Sequence, residues 1–252
     1  MDHLLRATAR AEARHFWFRG FRALVAPFVR RATAGIASPR ILDCGCGTGA
    51  NLAFLEQFGR AYGFDLSAVG VQLARLAGRT RLARASVVAA PYPSGAFDLV
   101  TSFDVLYSLE DRDERTAIAE MMRLLKPGGH AVINVAALEL LRGDHSMLSH
   151  EVRRYTKQML RTRLVAAGFD IVRLTYTNVA TTPPLMGWRS FQRWRGLRTE
   201  ASAQQEIEVP PAPLNAVLTA ILAAESLWVR RFDAPFGSSL LCLARKPVES
   251  HT

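Results

Sequence analysis

The stretch that most constrains the fold runs from Ile41 to Leu52 and reads Ile-Leu-Asp-Cys-Gly-Cys-Gly-Thr-Gly-Ala-Asn-Leu. Its apolar start predicts a buried β-strand, its alternate glycines predict a tight loop, and the apolar spacing after Asn51 predicts a helix. Glycine lacks the Cβ that would keep a ligand off the backbone, and a helix start presents free N–H groups. The stretch therefore predicts a strand, loop and helix unit that holds a ligand.

The spacing of the glycines separates this loop from two phosphate-binding patterns. The dinucleotide pattern is G-x-G-x-x-G, whereas here the glycines stand at 45, 47 and 49 and residue 50 is Ala. The loop also lacks the Gly-Lys-Ser/Thr ending of a P-loop. About one helix further on, Tyr62-Gly63-Phe64-Asp65 predicts a second strand that ends in an acid. An acid there can accept both ribose hydroxyls, so we predict Asp65 as a ribose ligand.

The two motifs, Asp43-x-Gly45-x-Gly47-x-Gly49 and the segment around Asp65, resemble the first two motifs of the class I S-adenosylmethionine-dependent methyltransferases. A Leu-Lys-Pro-Gly-Gly element at 125–129, very common in these enzymes, adds a structural signature. The resemblance implies methyl transfer by in-line displacement, with S-adenosylmethionine as donor, S-adenosylhomocysteine as product and no metal. It also implies an α/β fold, a Rossmann-like seven-stranded and mostly parallel sheet with helices on both faces. Its last strand would be antiparallel and inserted between strands five and six.

The order of the predicted elements divides the chain into three parts. Residues 1–35 are predicted to form an N-terminal helical cap, residues 36–180 and 236–247 the methyltransferase core, and residues 181–235 a helical insertion between strands six and seven. The family core needs only a short hairpin there, so we predict that the insertion is a lid or acceptor-binding cap. Its aromatic and basic piece from Trp188 to Arg195 leaves a peripheral membrane contact as an alternative.

The resemblance implies a set of cofactor-binding residues. His15-Phe16-Trp17-Phe18-Arg19 resembles the N-terminal cap of many family members, and Arg19 would pair with the methionyl carboxylate. After strand three the family often carries an acid for the adenine amino group, where this chain has Ser86 and Val87. The predicted cofactor-binding residues are Arg19, Asp43, Gly45, Gly47, Gly49, Asp65, Leu66, Ser86, Val87, Phe103 and Asp104.

The candidate acceptor site is the segment 143–155, which follows predicted strand five and concentrates His, Arg and Tyr. Open α/β sheets bind ligands at this edge. A His side chain, with an ordinary pKa of about 6.5, can deprotonate an acceptor hydroxyl, amine or thiol, although each His alone could equally be a surface or capping residue. The predicted catalytic residues are His145, His150 and Tyr107, and the predicted acceptor-binding residues are Phe18, Arg154, Tyr155 and Trp188.

Charge and cysteine content bear on the partners and the compartment. The net charge is +10 and Lys occurs only at 126, 157 and 246, so the basic residues are nearly all arginines. Such a bias is more often an effect of base composition than a nucleic-acid site, and we do not expect nucleic acid as the partner. Cys44, Cys46 and Cys242 form an odd set without an export signal, which predicts a reducing cytoplasm, and C-x-C alone is poor evidence for a metal.

The sequence thus predicts a cytoplasmic methyltransferase that modifies a hydroxyl, or an amine or thiol, of a small or lipid-like metabolite, as in secondary metabolism. One alternative is an RNA methyltransferase that uses the Arg-rich surface. Another is a non-catalytic module that binds S-adenosylmethionine. No feature of the sequence indicates an oligomeric state.

Overall fold

The computed structural model describes residues 2–142, 151–194 and 208–248, with side chains from residue 5 onward except those of 189, 192 and 193. The strands are β1 (Arg40–Cys44), β2 (Arg60–Asp65), β3 (Leu82–Arg84), β4 (Phe97–Phe103), β5 (Leu125–Ala136), β6 (Asp170–Thr177) and β7 (Ser239–Arg245). The helices are α1 (Asp2–Ala11), α2 (Phe16–Ala32), α3 (Ala50–Leu55), α4 (Ala68–Leu76), α5 (Asp111–Leu124), α6 (Lys157–Ala166), α7 (Thr182–Trp194) and α8 (Ala212–Val229).

The seven strands form one sheet in the order β3-β2-β1-β4-β5-β7-β6. Neighbouring strands are parallel from β3 to β5, whereas β7 lies antiparallel between β5 and β6. The predicted sheet and its inserted last strand are therefore confirmed. Because β1 lies beside β4, the order of the strands reverses there, and open sheets of this kind bind ligands at the carboxyl ends of the strands flanking such a point.

Two strands differ from their predicted extent. We expected strand three over 81–88, but β3 has three residues, since its one partner, β2, ends at Asp65 and leaves nothing to pair beyond Arg84. We expected strand five to start at His130 after a turn, but β5 starts at Leu125. An irregularity in the pairing with β4 and a left-handed Gly128, with φ 78°, let the Lys-Pro-Gly-Gly segment continue the strand.

The N-terminal helices and α8 cover one face of the sheet. The buried residues of α2 include Leu24, Val25 and Phe28, which pack in one cluster with residues of β1, β4 and β7. At Gly20 the helix α8 comes so close that a Cβ there would lie 2.2 Å from Leu222 Cδ1. On α8 itself Leu222 is buried, whereas Leu214, Val217 and Ile221 are exposed.

The amide of Asn215 on α8 bonds the turn between α1 and α2. Its Oδ1 accepts from Phe16 N at 2.8 Å, and its Nδ2 donates to Arg14 O at 2.9 Å. Phe16 is the first residue of α2, whose N–H has no partner inside the helix. Asn215 supplies that partner, so α8 is bonded to the start of α2.

Candidate functional site

The glycine loop is bonded to the end of β2. Gly45 N and Cys46 N both donate to Phe64 O, at 2.9 and 3.0 Å. Gly45 has φ 81°, and a Cβ there would lie 2.4 Å from Val105 Cγ2. Both the conformation and the space therefore require glycine. The loop ends at Gly49, φ 78°, directly before α3, so the N–H groups at the start of that helix face the loop.

Asp65 joins the loop to the start of α4. Its Oδ2 accepts from Gly47 N and its Oδ1 from Ser67 N, both at 2.8 Å. Each carboxylate oxygen can accept a second hydrogen bond, so Asp65 can also receive a pair of ligand hydroxyls. Leu66 beside it is 66% exposed at the same edge. An exposed leucine next to such an acid can cover a flat apolar ring.

Asp43 is buried at the end of β1. Thr101 Oγ1 donates to its Oδ1 at 2.7 Å, while its Oδ2 has no hydrogen-bond partner. Burial raises the pKa of Asp43 to about 7, the Thr101 hydrogen bond opposes the rise, and the negative charge of Asp65 adds to it. A buried acceptor without a donor is costly. The free oxygen is an observation in favour of a ligand that brings a cation or an N–H donor to the loop.

The first helix and the turn after it contact the glycine loop through residues that the sequence did not single out. Thr48 Oγ1 donates to Glu12 Oε2 at 2.6 Å, and Arg22 Nη2 donates to Glu12 O at 2.8 Å. Burial raises the pKa of Glu12, and the Thr48 hydrogen bond and the charge of Arg22 oppose the rise. Leu5 packs over Gly47, since a Cβ there would lie 3.5 Å from Leu5 Cδ2. The cap thus contributes a carboxylate and a guanidinium beside the loop.

The predicted cap residues lie in different places. Arg19 is exposed and lines a depression of about 570 Å³ together with Arg14, Val209, Pro210, Ala212 and Asn215. Phe18 is half-buried, with its ring edge-on to His15 at 5.8 Å. Phe103 is buried and packs edge-on against Phe21 at 5.1 Å, which closes the cap onto the end of β4. Cofactor binding by Arg19 stays a prediction, and Arg22 is the arginine that the structure joins to Glu12.

The predicted adenine residues follow β3 at the same edge as Asp65. Ala85 N donates to Asp65 O at 3.1 Å, and Ser86 Oγ accepts from Val88 N at 3.4 Å. Ser86 and Val87 are half-buried. Their location fits the prediction, and their contact with a cofactor stays a prediction.

Asp104 lies where β4 ends, in a strained backbone conformation. Its φ is 60°, which is uncommon for residues other than glycine and marks positions held by their surroundings. Asn134 Nδ2 donates to Asp104 Oδ1 at 2.8 Å, and Asp104 N donates to Asn134 O at 3.0 Å. Asp104 is exposed as a residue, but the protein around its carboxylate replaces water there, and this desolvation raises its pKa. The Asn134 hydrogen bond lowers that pKa, the charge of Glu151 raises it, and Arg154 lowers it.

Two predicted acceptor-binding residues are occupied within the protein. Tyr155 is fully buried, and its hydroxyl donates to Glu114 Oε1 at 2.6 Å, so the structure gives this hydroxyl a partner inside the protein, and its contact with the acceptor stays a prediction. The Arg154 guanidinium holds Glu151 in a two-pronged ion pair at 2.9 and 3.0 Å, with both side chains nearly inaccessible. The structure therefore assigns Arg154 to a buried pair behind the site rather than to its surface.

The remaining acceptor-side predictions are only partly located. Tyr107 is buried, and its backbone carbonyl accepts from Val152 N and Arg153 N, so it anchors residues 151–153. Trp188 is exposed on α7. His145 and His150 lie outside the described residues. The roles of all four stay predictions.

Glu114 is a buried carboxylate with several charged partners, and the sequence did not predict it. It is inaccessible and contacts Arg153, Arg163 and the Tyr155 hydroxyl, which fastens the segment after residue 150 to α5. One signal could have revealed it. Glu114 shares the apolar stripe of α5 with Ala117, Ile118 and Met121, all of which are buried. An acid on such a stripe needs a buried cationic partner.

Within the described residues there is no group of three or more His, Cys, Asp or Glu side chains that could hold a metal ion. The thiols of Cys44 and Cys46 are free and buried, and burial raises the pKa of both. They fill space around the loop.

Comparison with known proteins agrees with this geometry. The profile of the family described as a methyltransferase domain matches residues 42–133, from β1 into β5. A demethylmenaquinone methyltransferase of Clavibacter sepedonicus is 38% identical over 109 residues, which are 41% of this chain and 43% of that protein. A tRNA U34 carboxymethyltransferase of Methylococcus capsulatus is 27% identical over 209 residues, 75% of this chain and 63% of that protein. The matched region spans about half the length of the first three curated relatives, between 43% and 53% of each.

Solved structures share the fold at low identity. A SAM-dependent methyltransferase of Thermotoga maritima superposes with a TM-score of 0.60 at 16% identity, covering 98% of this chain and 100% of that one. The [4+2]-cyclase SpnF superposes with a TM-score of 0.56 at 24% identity, covering 87% and 78%. The family match over residues 42–133 shows that this chain carries a methyltransferase domain, and the sheet order and the superpositions show the fold of the class I S-adenosylmethionine-dependent methyltransferases.

Proposed function

We propose that the chain transfers a methyl group from S-adenosylmethionine to a nucleophilic atom, a hydroxyl or else an amine or thiol, of a small, lipid-like acceptor. The observation that carries the proposal is the arrangement of the glycine loop between Asp43, with its unpartnered Oδ2, and Asp65, with spare acceptor capacity. A zwitterionic amino acid joined to a ribose has complementary groups at both ends. The donor therefore fits the residues present.

Each part of the loop has a role in holding that donor. Asp65 would accept the ribose hydroxyls, Leu66, Ser86 and Val87 would surround the base, and Asp43 would face the methionyl ammonium group. When bound, the cofactor supplies a methyl group on a positively charged sulfur. The protein's main contribution is to orient the acceptor against that group in a dry pocket, an effect that can reach about 7–11 kcal/mol. Phe21, Phe103 and α1 exclude water on the cap side.

The acceptor must lose a proton, and Asp104 is the described group best placed to take it. It is accessible at the carboxyl edge of β4, its orientation is fixed by Asn134, and its raised pKa makes it a better base than an ordinary aspartate. His145 and His150, from the neighbouring segment, remain the predicted alternatives.

A lipid-like acceptor is supported by the relative whose name specifies a quinone, demethylmenaquinone. A second candidate function, methylation of RNA, is favoured by the longer match to the tRNA U34 carboxymethyltransferase. Against it, several arginines near the site are engaged inside the protein, with Arg153 on Asp111 and Glu114, Arg154 on Glu151, and Arg163 on Asp111. Such pairs leave less positive charge for phosphates.

Calorimetry with S-adenosylmethionine tests the donor first. We expect binding by the wild type, and binding at least about tenfold weaker in Asp65→Ala, because hydrogen bonds to a charged group are lost. Asp113→Ala, an exposed aspartate on α5, is the matched control. Absence of binding by the folded wild type would overturn the proposal.

Transfer itself needs a second measurement, since SpnF shares the fold and its name describes a cyclase. Labelled methyl donor should transfer label to an organic-extractable acceptor. Transfer to bulk tRNA instead, with binding that weakens steeply as salt rises, would favour RNA. Donor binding without transfer to any tested fraction would favour the non-catalytic module.

A further inference from the structure

Helix α8 differs from an ordinary surface helix of a soluble protein, because its exposed side is apolar and its polar residues point inward. Every exposed residue in it is apolar: Ala212, Pro213, Leu214, Ala216, Val217, Ala220, Ile221, Ala223, Ala224, Leu227 and Trp228. Its polar residues are Asn215, Thr219, Glu225 and Ser226, and each is buried or half-buried. A helix at a protein–water boundary normally shows the opposite pattern.

The inward polar residues have structural partners, which explains why they point inward. Asn215 bonds the turn between α1 and α2, and the Glu225 carboxylate accepts from Val179 N and Ala180 N, at 3.0 and 3.2 Å, just before α7. The orientation of α8 is thus fixed from both ends. The apolar side is held outward by the fold.

Charge at both ends of α8 indicates what covers this side. Exposed Arg14 and Arg19 flank its first turn around the depression at residues 209–215, and exposed Arg230 and Arg231 follow its last residue. Of the described acids nearby, Glu225 faces inward and Asp233 accepts from Arg173 Nε at 2.8 Å, which leaves the exposed Glu208 near the first pair. An apolar band framed by arginines complements acyl chains below anionic headgroups.

Aromatic residues on α7 and after α8 are also exposed to solvent. Trp188, Phe191 and Trp194 on α7 are exposed, with consecutive ring centroids 5.8 and 6.0 Å apart. Trp228 on α8 and Phe232 after it are also exposed, 6.1 Å apart. Tryptophan favours the boundary between headgroups and acyl chains.

We propose that the outer face of α8, defined by its exposed residues between 212 and 228, docks flat on an anionic lipid bilayer, with Arg14, Arg19, Arg230 and Arg231 on the headgroups. Among the described residues α8 is also the helix that is long and apolar enough to cross a membrane by length and composition. Its inner side, however, packs on α2 with Leu222 against Gly20, and the bonds of Asn215 hold it there. Lying in the interface preserves those contacts, whereas spanning would break them.

Docking in this way would bring the candidate site close to the lipid. Both α7 and the segment after α8 join the sheet at its carboxyl edge, where Thr177 ends β6 and Ser239 pairs with Ala136 of β5. This consequence for the acceptor rests on the proposed function. The docking itself does not.

Vesicle sedimentation with the full chain, free of cofactor and acceptor, tests the docking. We expect binding to vesicles of phosphatidylcholine with phosphatidylglycerol, and weaker binding to phosphatidylcholine alone or at high salt. The variant Val217→Ser/Ile221→Ser/Trp228→Ser should bind at least about tenfold more weakly, since it loses inserted apolar surface. Leu76→Ser, which removes a leucine on α4 that is more exposed than any of these three residues, should bind like the wild type.

A further variant tests the contribution of the two arginines that follow α8. Arg230→Gln/Arg231→Gln should lose part of the preference for phosphatidylglycerol and keep its residual binding to phosphatidylcholine. An unchanged thermal midpoint verifies that each variant is folded, and donor binding measured without vesicles reports separately on the proposed function. Vesicle binding that is absent in the wild type, or equal in the wild type and the triple variant, would overturn the proposal. The proposal would also be overturned if the wild type forms a dimer, does not bind vesicles, and loses the dimer in the triple variant. The face would then bind a second copy of the chain.

Discussion

The hydroxyl of Thr48, in the glycine loop, donates a hydrogen bond of 2.6 Å to the carboxylate of Glu12, the residue directly after the first helix. This bond joins the cap to the loop that holds the donor. We expect Glu12→Ala to bind S-adenosylmethionine about tenfold more weakly, because the bond involves a partly buried, charged acceptor. Calorimetry measures the change. Glu12→Gln keeps an acceptor for Thr48 and should retain most of the affinity, and equal binding by Glu12→Ala and the wild type would contradict the prediction.

Asp43 should make the stability of the free protein depend on pH. Its pKa in the folded state is about 7 against an ordinary 3.8, so the folded protein holds this proton more tightly than the unfolded chain. Its contribution is complete below about pH 4 and is lost as the pH rises through about 7, a difference of order 4 kcal/mol. Denaturant unfolding of Asp43→Asn should therefore show a weaker loss of stability across this window. Parallel curves for variant and wild type would show that Asp43 ionises normally.

Replacing Asp104 separates the candidate bases. If its carboxylate accepts the acceptor proton, Asp104→Asn should lower kcat by about 10²–10⁴-fold and leave donor affinity nearly unchanged. The acidic limb of the rate profile, which is shifted upward by the raised pKa of Asp104, should disappear. Steady-state rates at a series of pH values test this with His145→Ala and His150→Ala in parallel. A limb that vanishes only in a His variant would transfer the role to that His.

Tyr155 should act on stability and leave catalysis unchanged. Its hydroxyl is buried on Glu114, so Tyr155→Phe should lower the free energy of unfolding by about 2 kcal/mol. The kcat of the folded variant should equal that of the wild type. A large fall in kcat with unchanged stability would support the predicted contact of Tyr155 with the acceptor.

The contact between α2 and α8 can be tested by a reciprocal pair. Gly20→Ala places a Cβ 2.2 Å from Leu222 Cδ1, and overpacking of this kind costs about 1–3 kcal/mol. Leu222→Ala alone leaves a cavity and should cost about 2–5 kcal/mol. The double variant should be more stable than the sum of the single effects predicts. Additive free energies of unfolding would show that the two residues do not meet.

The sequence predicted those features that depend on local pattern. The resemblance to the methyltransferase family implied the seven-stranded sheet and its inserted last strand. The glycine spacing and the acid at the end of β2 identified the loop and Asp65, and the apolar periodicities identified strands and helices. These features depend on residues close together in the chain. Their geometry could therefore be anticipated without any contact between distant segments.

The sequence did not predict features that depend on contacts between distant segments. Tyr155 was expected at the acceptor because it stands in a polar loop, and only the packing of that loop on α5 shows its hydroxyl turned to Glu114. The bond from Glu12 to Thr48 spans 36 residues. On α8 the sequence alone does not show which side is covered, and the contact with Gly20 of α2 buries Leu222 and leaves Val217 exposed.

The bonds of Asn215 to Arg14 and Phe16 bridge sequence separations of 201 and 199 residues. When a ribosome has completed the core strands β1 to β5, the partner of the N-terminal helices has not yet been synthesised. The loop, its aspartates and the contacts of Glu12 can therefore form early, while the bonds that hold the start of α2 must wait for the last fifth of the chain. In a nascent chain the turn between α1 and α2 should gain its last hydrogen bonds in a late and slow step, as expected for contacts of long sequence separation.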